Sequence, residues 1–214
     1  MDVILVGHSF VRRYRDAKLP RRRYHSDRDI TAHQPARAAS MAESMRLSRH
    51  IHGVYTISQN IIYFHHVFQL REPILVLNPR AVIVDIGSND LARMSTINPR
   101  RILQLASDLH NFLLNLELHL VVVNAILPRT AALSCTPATF AANARYYNTY
   151  MSEFCDTSPR LVFNKQRGLQ YTSTNQPRPV HTWSHDGIHL STSGSAFACY
   201  ESRIRHSLLD HIFH

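Results

Sequence analysis

Residues 81–86 read Ala-Val-Ile-Val-Asp-Ile and decide the fold, and Gly-Ser-Asn-Asp follows directly at residues 87–90. The first run is β-branched and almost continuously apolar, which is typical of a strand buried on both faces of a parallel sheet. Glycine and polar residues then mark a turn. We therefore predict a central strand over residues 80–86 with a polar turn at its carboxyl end.

Similar short apolar runs predict four more strands, over residues 2–6, 50–57, 120–125 and 160–163. Helical patterns and N-cap signals lie between them. One helix is predicted to start at Ser9 and a short one to lie near residues 36–45. Four longer helices are predicted, from Ser58 through Phe68, from Asn98-Pro99 to about Glu117, from Thr136-Pro137 to about Phe154, and from Ser191 or Thr192 to about Ile212. Alternating strands and helices predict a flavodoxin-like three-layer α/β/α sandwich around a mostly parallel five-stranded sheet.

The length of the chain and its cysteines indicate the number of domains and the cellular compartment. A chain of 214 residues with 44% hydrophobic content is long enough for one sizeable core, so we predict a single domain over residues 1–214. Because the sequence opens directly into the first strand, we expect no signal peptide, and its longest apolar runs are too short to span a membrane. Cys135, Cys155 and Cys199 form no C-x-x-C pair. A reducing compartment, cytoplasmic or nuclear, is the expectation.

The positive charge of the chain is carried almost entirely by arginine. The formal net charge is +9, and Lys18 and Lys165 are the only lysines. Residues 18–48 read as a long basic surface excursion, and residues 12–28 are rich in arginine. Arginine binds phosphate and carboxylate groups in a bidentate manner, so a nucleic acid or anionic surface is a candidate partner. A solvated surface with an arginine bias would give the same pattern.

Three polar clusters carry the chemistry, each at the end of a hydrophobic run: Gly7-His8-Ser9, residues 87–90, and Asp186-Gly187-Ile188-His189. Together they supply a hydroxyl nucleophile, a side-chain amide for an oxyanion, and an imidazole with a carboxylate, as acyl transfer requires. The first two clusters follow predicted strands. They should therefore project from the carboxyl edge of the sheet, where ligands bind in open α/β sheets.

Each cluster also has a purely structural interpretation. Ser9 would serve as a helix N-cap, and Asn89 would close a turn at the end of its strand. Among 15 histidines, some lie near an aspartate by chance. Asp186 and His189 are nevertheless the only D-x-x-H pair in the chain, and residues 87–90 are the only G-x-N-D.

The order of these motifs resembles the SGNH, or GDSL-type, hydrolases. G-x-S lies near the amino end, G-x-N-D about 80 residues later, and D-G-I-H-L before the final helix, so the resemblance covers essentially the whole chain. It implies a metal-independent serine esterase or lipase with the sandwich fold. By position, Ser9 matches the nucleophile, Asn89 the oxyanion-hole amide, Asp186 the acid and His189 the base. The first two motifs are also similar to animal members, including esterase domains of some retrotransposons.

The sequence departs from the family pattern at two places. His8 stands where the family usually has aspartate, and a changed local hydrogen bond is the expectation. The family's second block contributes a glycine whose N–H joins that of the nucleophile, here Ser9, in the oxyanion hole. Gly53 is our candidate, and another alignment puts Tyr55 or Thr56 there.

Aromatic residues are candidates for lining the substrate pocket: Phe10, Tyr63 and Trp183. The sequence does not distinguish acetylated sugars, short acyl esters and lysolipids as the ester substrate.

Other function classes compete with the esterase. Histidine pairs suggest a metal, but none forms a set of three ligands at a known spacing: His50 with His52, His65-His66, and His185 with His189. No dinucleotide or P-loop motif is present, so we predict no cofactor and no metal. The serious rival is a non-catalytic nucleic-acid or polyanion-binding module. It would use these residues: Arg12, Arg13, Arg15, Arg21, Arg22, Arg23, Arg28, Tyr14 and Tyr24.

Overall fold

The protein is described here by a computed structural model. It describes residues 2–7, 11, 13, 39, 41–43, 45–47, 52–58, 64–131, 134–169, 184, 186–191 and 195–212. The predicted three-layer α/β/α sandwich is confirmed, with a parallel sheet and helices on both of its faces.

The sheet has five strands in the order β2-β1-β3-β4-β5, and all neighbouring pairs are parallel. The strands are β1 (Asp2–Gly7), β2 (Gly53–Ser58), β3 (Ala81–Asp85), β4 (Leu120–Asn124) and β5 (Leu161–Asn164). All five predicted strands are present, with ends that differ by at most three residues. In the register of the sheet, Gly7 pairs with Ser58 on one side and with Asp85 on the other. These three residues therefore define the carboxyl edge of the central strands.

Helices cover the sheet. A 3-10 helix spans Phe64–Leu70. The α-helices whose two ends lie among the described residues are α1 (Arg71–Leu77), α2 (Ser88–Leu91), α3 (Pro99–Leu114), α4 (Pro137–Cys155) and α5 (Ser195–Ile212). Residues 11, 13, 39 and 41–43 are helical as well. The two predicted cap signals are confirmed. Asn98 accepts a hydrogen bond from the backbone of Arg101, Thr136 accepts one from Thr139, and a proline follows each cap. No helix within the described ranges is long and apolar enough to cross a membrane.

The region after β2 corrects one prediction. Ser58 is the last residue of β2 and residues 59–63 lie outside the described ones, so the cap at Ser58 stays a prediction. The described part of the predicted helix, from Phe64, is a 3-10 helix. The 3-10 helix gives way to α1 just before Pro73. A proline has no backbone N–H and is tolerated only in the first turn of an α-helix. Pro73 therefore prevents one continuous α-helix through this segment.

The two faces of the sheet carry separate cores because side chains alternate along each strand. Ile4 and Val82 pack on the face covered by α3 and α4. Val3 and Ile83 pack on the opposite face, against α5 and residues 41–47. Four side chains of that last segment are buried: Met41, Ala42, Met45 and Leu47. The carboxyl end of the predicted surface excursion at 18–48 is thus part of the core, and its other residues lie largely outside the described ones.

The α5 side of the sheet also holds a buried polar cluster, which we define as Asp85, Asn124, Asn164, Gln166 and Tyr200. The Asn124 carbonyl accepts hydrogen bonds from the amides of Asn164 and Gln166, both at 2.9 Å. The Tyr200 hydroxyl donates to Asp85 at 2.6 Å. These bonds join the carboxyl ends of β3, β4 and β5 to α5, and they satisfy polar groups that would be costly to bury alone.

Burial raises the pKa of Asp85 from 3.8 to about 6, although hydrogen bonds from Tyr200 and Asn124 and the charge of Arg129 act in the opposite direction. The folded state therefore holds the Asp85 proton more tightly than the unfolded state does. This contribution to stability is fully present below pH 3.8 and is lost as the pH rises to about 6. Two pH units correspond to roughly 3 kcal/mol.

We predict that Asp85→Asn removes this pH dependence, since an amide does not ionise. Urea unfolding from pH 4 to pH 8 should show the variant gaining roughly 3 kcal/mol relative to wild type as the pH rises. Asp108→Asn, at an exposed carboxyl of α3, is the matched control and should follow wild type. A constant difference between Asp85→Asn and wild type at every pH would contradict the raised pKa.

Candidate active site

The centre of the site is the acid–base loop, which we define as residues 184 and 186–190. His189 directs its Nδ1 at Asp186 Oδ2 over 2.8 Å. The His189 side chain is 12% exposed and that of Asp186 is 24% exposed. A carboxylate only accepts hydrogen bonds, so the Nδ1 of His189 carries the proton and Nε2 carries the lone pair. The predicted D-x-x-H pair is therefore a hydrogen-bonded pair with a defined tautomer.

Asp186 holds the loop together through its other oxygen. Oδ1 accepts hydrogen bonds from the backbone N–H groups of Ile188 at 2.9 Å and His189 at 3.0 Å, and from the Ser184 hydroxyl at 2.5 Å. Burial by itself would raise the pKa of Asp186. The hydrogen bonds from Ser184, from the two backbone N–H groups and from the His189 ring outweigh it and hold this pKa well below its usual range. Asp186 is thus ionised throughout the neutral range.

Arg13 makes a further contact to Asp186 that sequence reasoning missed. Its Nη2 lies 2.8 Å from Asp186 Oδ2, the same oxygen that His189 contacts, and its Nη1 donates to Ser184 Oγ at 3.4 Å. By its sequence context, Arg13 was a candidate for polyanion binding. No local signal could have revealed the contact, because its partner lies 173 positions along the chain.

Residues 129–131 brace the acid–base loop from the other side. The Gly187 carbonyl accepts hydrogen bonds from the backbone N–H groups of Thr130 at 2.9 Å and Ala131 at 3.1 Å, and from the Thr130 hydroxyl at 3.2 Å. Gly187 has a φ of +63°, and a Cβ there would lie 2.5 Å from Thr130 Oγ1. Only glycine fits this turn and this close approach.

Asn89 lies in the short helix α2, and the buried Arg129 holds it. Arg129 Nη2 donates to Ser88 Oγ at 2.7 Å and to Asn89 Oδ1 at 3.4 Å. Its guanidinium carbon also lies 5.1 Å from the centre of the Phe140 ring. Because the Asn89 oxygen faces Arg129, the Asn89 amide nitrogen points away from it. Arg129 was not predicted, although an arginine directly after the apolar run 120–127 and Pro128 was a possible signal.

One segment therefore connects two of the predicted clusters. Arg129 contacts the Asn89 turn, and its neighbours Thr130 and Ala131 contact Gly187 in the acid–base loop. Arg129 also acts on His189 electrostatically. The structure thus brings Asn89, Asp186 and His189 to one region of the molecule. Ser9 lies outside the described residues, two positions beyond the end of β1.

Gly53 does not lie in this region. It is the first residue of β2 and pairs with Asp2, whereas the edge is defined by Gly7, Ser58 and Asp85. The length of β2, about 3.3 Å per residue, separates Gly53 from that edge. This position disfavours Gly53 as a donor to the oxyanion, and the alternatives Tyr55 and Thr56 lie inside the strand. Sequence spacing alone did not reveal which end of β2 the glycine occupies.

The pKa of His189 is lowered from its ordinary value. Burial is the largest cause, and the positive charges of Arg13 and Arg129 act in the same direction. The hydrogen bond and negative charge of Asp186 oppose them. His189 is therefore neutral at pH 7, the form in which Nε2 accepts a proton.

Two other sets of candidates are only partly described. In the described part of the chain, no three His, Cys, Asp or Glu side chains are placed to hold a metal ion. His50 and His185 lie outside that part, as do the pocket candidates Phe10, Tyr63 and Trp183.

Fold and site together define an α/β sandwich with a carboxylate–histidine pair and an asparagine turn at the carboxyl edge of its sheet, which is an arrangement typical of hydrolases. The sequence matches the family model described as GDSL-like lipase/acylhydrolase over residues 4–200. The chain belongs to this family and is a serine hydrolase that acts on ester bonds.

Solved structures share the fold at low sequence identity. A Bacteroides fragilis protein assigned provisionally as an acylhydrolase is 14% identical, with a TM-score of 0.67, over 98% of this chain and 86% of that one. TesA is 12% identical with a TM-score of 0.64, over 99% of both chains. Axe2, an acetylxylan esterase from Geobacillus stearothermophilus, is 11% identical with a TM-score of 0.61, over 99% of this chain and 93% of that one. A search of curated proteins found no match.

We predict that Gly187→Ala impairs hydrolysis by displacing the acid–base loop. The new Cβ would meet Thr130 Oγ1 at 2.5 Å and the Ala131 nitrogen at 3.1 Å, at a φ that disfavours alanine. A loss of about 1–3 kcal/mol in unfolding free energy and a drop of roughly 10-fold or more in kcat/KM are expected.

Gly168→Ala is the matched control for this prediction. Gly168 also has a positive φ, of 93°, but its added Cβ would make only an ordinary contact of 3.4 Å with Cys199 Sγ. It should lose some stability through backbone strain and keep wild-type kcat/KM for a p-nitrophenyl ester. Equal losses of kcat/KM in the two variants would show that the turn at Gly187 has no special connection to the chemistry.

Proposed function

We propose that the protein hydrolyses carboxylic esters, acyl or acetyl, with Ser9 as nucleophile, His189 as general base and Asp186 as the acid that orients His189. The observation that carries the proposal is the 2.8 Å contact between His189 Nδ1 and Asp186 Oδ2. It leaves Nε2 as the ring nitrogen that accepts a proton, and it places a negative charge where the imidazolium will form.

In the first half-reaction, Ser9 Oγ attacks the ester carbonyl while His189 Nε2 takes the hydroxyl proton. The electron pair of the carbonyl moves to its oxygen, and a tetrahedral oxyanion forms. When that oxyanion collapses, the bond to the leaving alcohol breaks and His189 returns its proton to the alcohol oxygen. An acyl-enzyme on Ser9 and neutral His189 remain.

In the second half-reaction, water takes the place of the alcohol. His189 removes a proton from the water, the resulting hydroxide attacks the acyl carbonyl, and the carboxylic acid leaves as Ser9 Oγ regains the proton. Asp186 stays ionised throughout and stabilises each imidazolium. Its low pKa, which depends on hydrogen bonds from Ser184 and the loop backbone, supports this role.

Asn89 is proposed to stabilise the oxyanion together with the Ser9 backbone N–H. Arg129 fixes the Asn89 carbonyl oxygen and thereby orients the amide nitrogen as a donor. A donor of this kind typically contributes about 10²- to 10³-fold in turnover.

Covalent geometry supports the assignment of Ser9. Gly7 pairs with Asp85 at the same edge of the sheet, and the helix that carries Asn89 begins at Ser88, three residues after Asp85. The Cα atom of Ser9 is at most about 7.6 Å from that of Gly7, because successive Cα atoms are 3.8 Å apart. Arg13, four positions after Ser9, reaches Asp186 directly.

The alternative function, a non-catalytic polyanion-binding module, keeps its basis in arginine composition. Most of its residues lie outside the described ones. Arg13, the one whose side chain is described, is engaged with Asp186 and Ser184. The esterase proposal needs no additional partner, and binding to nucleic acid through residues 12–28 would be compatible with it.

We predict that Ser9→Ala abolishes ester hydrolysis without unfolding the protein, because only the nucleophilic oxygen is lost. Turnover of p-nitrophenyl esters with acyl chains from two to twelve carbons should fall on the order of 10⁴-fold or more. The chain length with the highest kcat/KM would identify the acyl class.

Ser202→Ala is the control, since Ser202 lies on α5 and contacts His206 rather than the acid–base loop. It should keep wild-type turnover at every chain length. Hydrolysis by Ser9→Ala at the wild-type rate would exclude Ser9 as the nucleophile.

A further inference from the structure

Arg13 lies at a position that joins two parts of the site. It is a helical residue four positions after Ser9, and Val11 beside it is buried in the core on the α5 side of the sheet. Its guanidinium reaches across to the acid–base loop, where Nη2 contacts Asp186 Oδ2 and Nη1 contacts Ser184 Oγ. The segment that follows β1 is therefore connected by side-chain contacts to the loop that carries His189.

Arg13 and His189 donate to the same oxygen of Asp186. Asp186 Oδ2 receives Arg13 Nη2 and His189 Nδ1, each at 2.8 Å, whereas Oδ1 receives three other hydrogen bonds. A carboxylate offers about four lone-pair directions, so five donors saturate Asp186. Arg13 is the donor with a permanent charge, and it competes with the imidazolium for the negative charge of Asp186.

We propose that Arg13 is a positioning residue for the reaction: it anchors the acid–base loop to the segment that carries Ser9 and sets how strongly Asp186 stabilises protonated His189. The proposal rests on the proposed function for its kinetic consequence. Its structural and electrostatic parts concern only Arg13, Asp186, Ser184 and His189.

The electrostatic part follows from the groups that act on His189. Burial is the largest cause of the lowered pKa of His189, Asp186 acts to raise this pKa, and Arg13 and Arg129 both act to lower it. Removing the charge of Arg13 should therefore raise the pKa of His189. Because the Arg13 side chain is 35% exposed, solvent screens its charge and the shift should be moderate, about half a pH unit.

Two variants separate the charge of Arg13 from its geometry. Arg13→Gln removes the charge, and Arg13→Lys keeps it but loses the planar fork that spans Asp186 and Ser184. Arg145→Gln, at an exposed position of α4, changes the net charge by the same amount away from the site. It is the matched control.

The first measurement is the titration of His189 by NMR of the imidazole, with His189→Gln to assign the signal among the 15 histidines. It does not depend on catalysis. We expect the pKa of His189 to rise by about half a unit in Arg13→Gln and to stay at its wild-type value in Arg13→Lys and Arg145→Gln. An unchanged pKa of His189 in Arg13→Gln would overturn the electrostatic part.

The second measurement is the pH profile of kcat and KM for p-nitrophenyl acetate. We expect the acidic limb of kcat/KM in Arg13→Gln to move upward with the NMR value, and the plateau kcat to fall roughly 10-fold in both Arg13 variants while KM stays close to wild type. A lower melting temperature with an unchanged acidic limb and an unchanged plateau kcat would reduce Arg13 to a purely structural contact and overturn the proposal.

The two proposals fail in distinguishable ways. If Ser9→Ala and His189→Gln hydrolyse the ester as wild type does, the proposed function fails. The NMR titration then still tests whether Arg13 acts on the pair of Asp186 and His189. If hydrolysis depends on Ser9 and His189 but neither the NMR value nor the kinetic limb moves in Arg13→Gln, only the assignment of Arg13 fails.

Discussion

The carboxylate of Asp186 is the group on which the arrangement of this site depends. It accepts hydrogen bonds from five donors: the Ser184 hydroxyl, the backbone N–H groups of Ile188 and His189, the His189 ring and Arg13. These bonds keep the carboxylate ionised and fold the acid–base loop around it. They also fix the tautomer of His189. A protonated or displaced Asp186 would therefore release the loop and the base at the same time.

The parallel sheet supplies the second constraint. Its register places Gly7, Ser58 and Asp85 at one edge, so the segments that follow β1, β2 and β3 all start from the same place. Residues 129–131 follow β4 and join this edge to the acid–base loop through Gly187. On the α5 side, the buried polar cluster ties the ends of β3, β4 and β5 to the last helix. The acid–base loop, which precedes α5, therefore packs beside strand ends that are fixed to that helix.

Much of this arrangement was predictable from the sequence because it depends on local physics. The apolar run 81–86 predicted the central strand, the Asn98-Pro99 and Thr136-Pro137 signals predicted two helix starts, and D-x-x-H predicted the hydrogen-bonded pair. Each of these features is set by residues within a few positions of one another. The family resemblance then supplied roles that these local patterns could not.

The features that were missed depend on contacts between distant segments. Arg13 was indistinguishable from a surface arginine, and the role of Arg129 was missed, because the partners of both residues lie in other parts of the chain. Gly53 was a candidate for the oxyanion hole although it is the first residue of β2, because spacing does not fix where a strand begins. The interruption before α1 required recognising that Pro73 falls in the first turn of a new helix. In each case tertiary structure decided what the local pattern left open.

Covalent labelling with a fluorophosphonate, followed by mass spectrometry of the modified peptide, examines the nucleophile and its base together. We expect one phosphonyl group for each molecule, attached to Ser9, and labelling slowed at least about 100-fold in His189→Gln because the nucleophile loses its base. Labelling at another residue, or labelling of Ser9 at the same rate in His189→Gln and wild type, would contradict this expectation.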